Sequence, residues 1–343
     1  MSDRKLRQLP LAIAAMVASM GAQAEYQSPD GNFRMSGFGT VGVVRTDTNE
    51  AKLPYAGQPE GATKKASADL DSKVAVQGTY KFTPTVSATT QVMTKYSGDG
   101  AYESDFEWAF AKWQALPSLT VRAGRMGAPL FMISDFRDVG YANTFVRPPA
   151  DVYDQVPFGT VDGGDISLQH TFGAVTMTGQ IWGGNAKNTF GETKLSVERL
   201  RGVNIVAEID GGYTLRVGRV SGKMSYNTPS LTALVQGAAS AQQNLLGGAQ
   251  ILEGFGQSAA AAQTTAYANQ FGAIGDFATA ENADASFTGI GFGVDHDDFI
   301  ASVEFTKRKT KSFVADTTGW YAMVGYRLGS YTPYVVDRKS TRL

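Results

Sequence analysis

The chain has 343 residues, no cysteine and two histidines, and its 31 basic residues nearly balance 32 acidic ones. Without cysteine, neither disulfides nor thiolate metal sites can hold the fold, and two histidines leave almost no basis for a histidine-built metal or catalytic site. A net charge of −1 argues against nucleic-acid binding, which favours a clustered basic surface. The length would fit two soluble domains, yet no linker-like change in composition divides it.

The N-terminal residues have the pattern of an export signal. A positively charged start is followed by a short apolar stretch, residues 9–20, and then by small residues at Ala22 and Ala24. We predict that residues 1–24 are a signal peptide that is cleaved before Glu25. The apolar stretch is too short to cross a bilayer as a helix, and no later stretch approaches about twenty apolar residues.

Segments with alternating apolar and polar residues recur along the rest of the chain and predict about thirteen strands between Phe33 and Val336. The connections between these segments alternate between tight turns and longer loops. The tight joints are residues 83–85, 116–118, 172–174, 210–212, 296–298 and 328–330. Outer-membrane barrels have this rhythm, with short turns on the periplasmic side and long loops outside. The pattern predicts an all-β, antiparallel transmembrane barrel.

The predicted strands have one apolar and one polar face. In residues 73–82, Val74 and Val76 alternate with Lys73 and Gln77, and the same alternation recurs in residues 299–306. A shift by one residue would turn the charged side chains into hydrocarbon, so the pattern fixes which face lines the lumen. A one-sided soluble sheet shows the same alternation. Aromatic residues at strand ends, the export signal and the rhythm of loop lengths favour the membrane barrel.

Three segments depart from this alternation. Lys112 falls in phase with Trp108 and Phe110, which indicates either a β-bulge or an interfacial position for Lys112. Glycines at alternate positions of residues 289–293 suit close subunit packing or a tightly curved wall. The Ala- and Gln-rich residues 238–285 predict helical turns in an external loop, which would serve as a lid or a receptor surface.

A long, apolar-rich loop, residues 126–163, follows the predicted strand at 119–125. A surface loop seldom carries so many large apolar residues unless it packs on something. In the order of its short turns and in the place and length of this loop, the chain resembles the Gram-negative outer-membrane porins of the general, sixteen-strand trimeric type. The resemblance implies that the loop folds into the barrel, narrows the pore and sets its selectivity. The family's Pro-Glu-Phe-Gly-Gly stretch is missing, and residues 156–159 are only faintly similar to it.

Charged residues of this loop and of the facing strands form the predicted pore constriction. The loop supplies Asp135, Asp138, Asp151 and Asp154 with the basic Arg137 and Arg147, and the lumen-facing wall supplies Arg34, Arg122, Arg125 and Arg216. An acidic loop opposite a basic wall would produce a transverse field, and rings of charged side chains govern ion preference in pores. Alternatively, these carboxylates and guanidinium groups pair and pin the loop. The two roles are compatible.

The sequence therefore predicts a passive outer-membrane porin that passes small hydrophilic solutes and ions without energy or a cofactor. Its expected partners are outer-membrane lipid, lipopolysaccharide and, as the resemblance implies, further copies of itself in a homotrimer. No nucleic acid, catalytic site or metal site is expected. One alternative is a substrate-selective channel whose aromatic residues Phe131, Phe136, Tyr141 and Tyr153 grip a preferred solute. The other is a non-conducting barrel that acts as a scaffold for a partner protein.

The C-terminus departs from the family pattern. Bacterial single-chain barrels have an even number of strands, whereas the predicted count is odd. The chain also ends at Leu343 and not at the aromatic residue that the family places there. A sixteen-strand barrel would need about three more strands. We therefore expect that residues 25–343 form a barrel whose C-terminal strands are missing, with residues 337–343 as a non-native tail. The alternative is that the count misses one strand.

Overall fold

The computed structural model describes residues 25–50, 61–98 and 100–342. The predicted signal peptide, residues 1–24, lies outside the described residues and stays a prediction. Fourteen strands of the described chain form one sheet, and each strand pairs with the next along the chain in antiparallel register. The prediction of an all-β, antiparallel sheet is confirmed.

The strands are β1 (Glu25–Gln27), β2 (Phe33–Thr40), β3 (Lys73–Lys81), β4 (Val86–Tyr96), β5 (Tyr102–Leu116), β6 (Leu119–Gly127), β7 (Thr160–Phe172), β8 (Val175–Phe190), β9 (Thr193–Ile209), β10 (Tyr213–Asn227), β11 (Ala280–His296), β12 (Phe299–Thr310), β13 (Thr317–Tyr326) and β14 (Tyr334–Arg342). The helices are α1 (Ala150–Tyr153), α2 (Pro229–Gly254) and α3 (Ser258–Ala278). α2 and α3 lie between β10 and β11, where the sequence predicts helical turns. Within the described ranges, no helix is long and apolar enough to cross a membrane.

The alternation in the sequence does not predict one of the strands, β1. β1 has three residues and pairs with residues 34–36 of β2. Three residues are too few to show alternation, so the sequence yields thirteen strands where the described chain has fourteen. β14 is longer than expected. Residues 337–342, predicted to form a tail, pair with β13, for example Lys339 with Trp320.

The tight turns lie where the sequence places them, but one joint that was expected to be long is also tight. Only Gly191 and Glu192 separate β8 from β9. The two strands run on for 16 and 17 residues, and Gly191 takes a left-handed backbone conformation (φ 58°) that closes the turn. A side chain on Gly98 would collide with Phe190. The tip of this hairpin therefore contacts the loop between β4 and β5.

One face of the sheet is a continuous apolar surface, here called the outer apolar belt. Exposed apolar side chains lie beside one another in register, as in the pairs Ile166–Ile181, Ile181–Val203 and Phe292–Val303. Further exposed members are Leu168, Ile205, Leu215, Val217, Ile290, Phe305 and Val324. A soluble monomer rarely exposes an apolar surface of this extent. The outward face of a membrane barrel has this character.

A β-bulge at Glu107 explains the irregular alternation in β5. The register between β4 and β5 shifts at this point and leaves Glu107 as the extra residue. Beyond the bulge, Trp108, Phe110 and Lys112 share the inward face, where Lys112 lies opposite Arg122 of β6. Of the two explanations for Lys112, the bulge is correct.

The sheet curls around the third loop, residues 128–159, which connects β6 to β7. Asp138 of this loop forms an ion pair with Lys73 of β3, and Asp151 forms one with Arg338 of β14. Strands near both ends of the sheet thus contact the same loop, on the face opposite the outer apolar belt. The predicted barrel with an inward-folded third loop is confirmed.

Candidate functional site

Aromatic side chains of the third loop pack against the inward face of the sheet. The ring of Phe131 lies 4.5 Å from that of Tyr153 and 5.2 Å from that of Phe287 on β11, measured between centroids. Phe145 contacts Tyr321 of β13 edge-on at 5.5 Å. All five side chains are buried. Burial of this apolar surface, with edge-to-face contacts between rings, explains why a loop carries so many large apolar residues.

Glycines of β11 provide the space for this packing. A methyl group on Gly291 would overlap the side chain of Met132, and one on Gly289 would lie 3.4 Å from the carbonyl oxygen of Leu130. The sequence attributes these glycines to subunit packing or wall curvature, and that interpretation is corrected here. Side chains are absent at these positions because the third loop lies directly on the strand.

A buried carboxylate fixes the middle of the loop. Glu304 of β12 is 1 % exposed. It accepts hydrogen bonds from the backbone N–H of Met132 at 3.0 Å and from the hydroxyl of Tyr153 at 2.8 Å. These bonds satisfy a carboxylate that would be costly to bury alone. The sequence places Glu304 on the inward face but gives no sign that the loop covers it.

Arg216 does not face the pore as predicted. It is 6 % exposed, and its guanidinium donates to the carbonyl oxygens of Leu130 (2.8 Å) and Pro129 and to the side-chain oxygen of Asn204 (3.1 Å). The loop lies over Arg216 and accepts its hydrogen bonds through backbone carbonyls and not through the predicted aspartates. Arg216 is therefore an anchor for the start of the loop.

The other wall arginines have partners on a neighbouring strand and not on the loop. The Nε atom of Arg122 donates to the Asp165 carboxylate at 3.0 Å, and Arg125 binds Asp162 through Nε and Nη2 at 2.6 and 2.8 Å. Both acids belong to β7. Arg34 is exposed and lies opposite Thr79 in the register of β2 and β3, near the tight-turn end of these strands. The predicted basic wall opposite an acidic loop is thus largely neutralised within the wall.

Ion pairs also fix the loop to the first part of the sheet. Nζ of Lys73 lies 2.7 Å from Asp138, and Arg147 binds Asp71 through two nitrogens at 2.6 Å each. Burial alone would raise the pKa of Asp138, but Lys73 and Arg137 together hold that pKa well below its usual range. These contacts support the alternative in which charged residues pin the loop.

The remaining loop carboxylates differ in environment. Asp135 is exposed, and Asp151 lies 3.3 Å from Nε of Arg338. Burial raises the pKa of Asp154 to about 6; Arg137 opposes this shift and the nearby Asp151 adds to it. The charge of Asp154 therefore changes near pH 6.

An open cavity of about 970 Å³ lies between the third loop and the inward faces of β3 to β6, β8 and β14. Its basic lining residues are Lys73, Lys95, Arg125, Arg137, Arg147, Lys187 and Arg338. Its acidic ones are Asp71, Glu103, Asp105, Glu107, Asp138 and Asp154. The space is thus polar and carries nearly balanced charge.

Five of the predicted site residues line this cavity: Arg125, Arg137, Asp138, Arg147 and Asp154. The prediction omits Lys95, Glu103, Asp105 and Lys187, which lie on polar positions near the outer ends of strands. The alternation that assigns Lys73 to the lumen could have found them. Asp71 and Arg338 carry no such signal, because the first lies in a loop and the second follows the last predicted strand.

The aromatic residues proposed to grip a solute fall into two groups. Phe131 and Tyr153 are buried against the sheet, and the hydroxyl of Tyr153 is bonded to Glu304. Phe136 and Tyr141 are exposed, Tyr141 by 83 %. Because two rings are buried against the sheet and two are exposed, the four aromatic side chains do not form one solute-binding site.

No protein-family model and no curated protein sequence matches this chain. Among solved structures, OmpF of Salmonella typhi in complex with daunomycin is similar at 11 % identity, covering 92 % of each chain with a TM-score of 0.42. The anion-selective porin from Comamonas acidovorans is 10 % identical over 90 % of this chain and 89 % of its own (TM-score 0.39). The channel DcaP of Acinetobacter baumannii is 7 % identical over 93 % and 82 % (TM-score 0.46).

Proposed function

We propose that this chain is an outer-membrane porin, a water-filled channel through which small hydrophilic solutes and ions diffuse passively. The observation that carries the proposal is the contrast between the two faces of one sheet. The outward face is the outer apolar belt, and the inward face encloses a charged cavity of about 970 Å³. A barrel in an outer membrane needs an apolar exterior, and a channel for ions and polar solutes needs a polar interior.

The third loop is the constriction in this proposal. It occupies the space inside the curled sheet and contributes Arg137, Asp138, Arg147 and Asp154 to the cavity lining. Asp138 and Arg147 have fixed partners at 2.6 to 2.7 Å, so their contribution to the field in the pore is largely cancelled. Because the lining charges nearly balance, the channel should discriminate weakly between cations and anions near neutral pH.

Single-channel recording tests the proposal. The protein is extracted from its own membrane, inserted into a planar bilayer and measured in a salt gradient. Ohmic current steps with a small reversal potential are expected. A silent bilayer that demonstrably contains the folded barrel would overturn the porin proposal and favour a scaffold for a partner protein.

The assembly proposal is a homotrimer embedded in outer-membrane lipid and lipopolysaccharide. It derives from the resemblance to general porins and from the outer apolar belt, which suits a lipid environment. Mass measurement of the protein extracted without heating tests it. A mass three times that of the chain is expected, and a monomeric mass in the same lipid-retaining extract would contradict it.

A further inference from the structure

Basic side chains cluster on the outward face of the sheet, at one edge of the outer apolar belt. Arg219 of β10 follows Val217 of the belt by two positions, and Lys307 of β12 follows Phe305 by two positions. Side chains two positions apart on a strand share a face, so Arg219 and Lys307 point outward. By the same alternation two more basic residues join them. The cluster, here called the basic patch, consists of Arg201, Arg219, Lys307 and Lys309.

The strand register arranges the basic patch in two rows. In the first row, Thr288 of β11 lies between Arg219 and Lys307, because it pairs with both. The second row, on β9 to β12, consists of Arg201, Ser221, Ser286 and Lys309. Adjacent strands are about 4.8 Å apart, so the two basic residues of the first row are roughly 10 Å apart. Every position between two basic residues carries a hydroxyl, and both rows therefore present hydrogen-bond donors only by charge or by hydroxyl groups.

The row before the first row of the patch is wholly apolar. It consists, in register, of Ile205, Val217, Ile290, Phe305 and Trp320. The surface thus changes from apolar to basic over one step of two residues, about 7 Å. A basic side chain costs about 2–4 kcal/mol at the bilayer midplane and about 0–1 kcal/mol near its edge. The patch therefore marks the edge of the hydrocarbon layer.

The direction of the strands tells which edge this is. β10 begins after the tight turn at residues 210–212, and β12 begins after the tight turn at 296–298. Arg219 and Lys307 lie several residues beyond these turns, towards the long segment that contains α2 and α3. Tight turns of an outer-membrane barrel lie on the periplasmic side and long loops lie outside. The basic patch is therefore on the side of the outer leaflet.

The chain itself supplies no counter-charge for the patch. Among the described residues, none of its four side chains forms an ion pair. Arg219 donates to the hydroxyl of Thr288 at 3.1 Å, which is a neutral acceptor. Three of the four side chains are exposed and Lys307 is half-buried. Four like charges on neighbouring strands repel one another, and an external anion would remove that cost.

Acidic residues beyond the second row belong to other contacts. Asp284 binds Lys223 at 2.7 Å and Lys311 at 3.5 Å. Glu198 lies opposite Lys223 in the register of β9 and β10, and the carboxylate of Asp316 accepts a backbone N–H at 2.8 Å. The sheet thus provides a carboxylate for the basic residues one step further out. It provides none for the patch that borders the hydrocarbon.

We propose that the basic patch binds the phosphate groups of a phosphorylated lipid in the outer leaflet. Guanidinium and ammonium groups form charge-assisted hydrogen bonds with phosphate oxygens, and the hydroxyls between them are further donors. The acyl chains of the lipid would lie along the apolar row below. A soluble anion would use the charges but not this apolar row, and for that reason the occupant is a lipid. The inference rests on the outer-membrane placement in the proposed function and extends it, since passive diffusion requires no phosphate site.

Binding of lipid A, the phosphorylated glycolipid of lipopolysaccharide, tests the proposal. The full chain in detergent is titrated with lipid A, and the bound fraction is measured by native mass spectrometry. Dephosphorylated lipid A reports the contribution of the acyl chains and sugars, and inorganic phosphate reports the anion alone. We expect the dephosphorylated lipid to bind at least tenfold more weakly and inorganic phosphate not to displace lipid A. Equal affinities of the two lipids, or displacement by phosphate at equal concentration, would overturn the proposal.

Neutral substitutions in the patch provide the second test. Arg219→Gln combined with Lys307→Gln removes both charges of the first row. Arg45→Gln combined with Lys65→Gln is the matched control, because it removes one arginine and one lysine from exposed positions between β2 and β3. At least a tenfold loss of lipid A affinity is expected for the patch variant and none for the control. Native affinity in a folded patch variant, or an equal loss in the control, would contradict the assignment of the site.

The lipid site and the channel can fail separately. The patch lies on the outward face, so the patch variant should conduct like the native channel in the bilayer recording described above. Current without a preference for the phosphorylated lipid would remove the lipid site and leave the porin proposal standing. Lipid A binding that depends on the patch, in a protein that forms no conducting channel, would do the reverse.

Discussion

The hydroxyl of Tyr153 donates a 2.8 Å hydrogen bond to Glu304, which lies 151 positions further along the chain. Burial and the adjacent Glu304 carboxylate raise the pKa of Tyr153 well above its usual value, so the phenol stays protonated and remains a donor. This bond connects α1 of the third loop to β12. Together with the contacts of Arg216, it holds the loop against one side of the sheet and leaves the charged cavity open on the other.

Removal of the Glu304 carboxylate should loosen the loop. Glu304→Ala leaves the Met132 N–H and the Tyr153 hydroxyl without an acceptor, and each buried unpaired group costs about 1–3 kcal/mol. We expect a lower free energy of unfolding in urea and a larger, noisier single-channel conductance. Glu304→Gln keeps an acceptor oxygen and should change both quantities much less. If Glu304→Ala conducts like the native channel, the bond does not position the constriction.

Gly291 should be intolerant of larger residues because the loop lies on it. The side chain introduced by Gly291→Val would overlap Met132, and overpacking of this kind costs about 1–3 kcal/mol. Displacement of the loop should also change the channel conductance. Gly179→Val is the control, since nothing lies within 4 Å of a Cβ at Gly179. That change should remain within about 0.5 kcal/mol; equal effects at both positions would show that loss of glycine, and not the loop, is responsible.

Ion preference should depend on pH through Asp154. Its pKa is raised to about 6, so the carboxylate loses its charge as the pH falls from 7 to 5. The reversal potential in a salt gradient should shift towards anion preference over this interval. Asp154→Asn should show the shifted value at pH 7 and a much smaller change between pH 7 and 5 than the native channel. Asp138, whose pKa is lowered, should stay charged throughout.

The Asp154 carboxylate should also lower the stability of the folded protein at neutral pH. The folded-state pKa of Asp154 lies above its ordinary value of 3.8, so the folded protein binds the proton more tightly than the unfolded chain. This carboxyl therefore destabilises the fold above pH 6, and the destabilisation is relieved as the pH falls from 6 towards 3.8. Asp154→Asn should raise the free energy of unfolding at pH 7 and have less effect at pH 4. The opposite trend would contradict the burial of this carboxyl.

Side-chain alternation predicts which face a residue occupies, but not its neighbour across the lumen. Arg125 and Arg216 were both assigned to the lumenal wall, yet Arg125 lines the cavity and Arg216 lies under the loop. The difference depends on the height of each residue along its strand and on the path of the loop, and neither is encoded in a period-2 pattern. Gly291 is similar: its missing side chain indicates that something approaches closely, but only the structure shows that Met132 does so.

Turn and strand positions could be predicted where the signal is long enough. The tight turns and the longer strands follow from alternation and from turn residues. β1 was missed because it has three residues, and the short joint at Gly191 was missed because two strands of 16 and 17 residues continue into what looked like a loop. The sequence shows that Lys112 breaks the alternation and leaves two explanations, a β-bulge or an interfacial position. The register of β4 against β5 places a bulge at Glu107 and decides between them.

The ion pair of Lys73 with Asp138 should couple the third loop to β3. The two groups are 2.7 Å apart and mostly buried, with 17 % and 20 % of their side chains exposed. Lys73→Met leaves Asp138 without this partner in a buried position, and Asp138→Asn removes the charge that Lys73 offsets. Each single change should lower the free energy of unfolding, while the double variant should lose less than the sum. A coupling of about 0.5–3 kcal/mol in this cycle is typical of residues in direct contact. If the losses in free energy of unfolding of the two single variants add up in the double variant, the pair does not hold the loop. The conductance of all three variants should then equal that of the native channel.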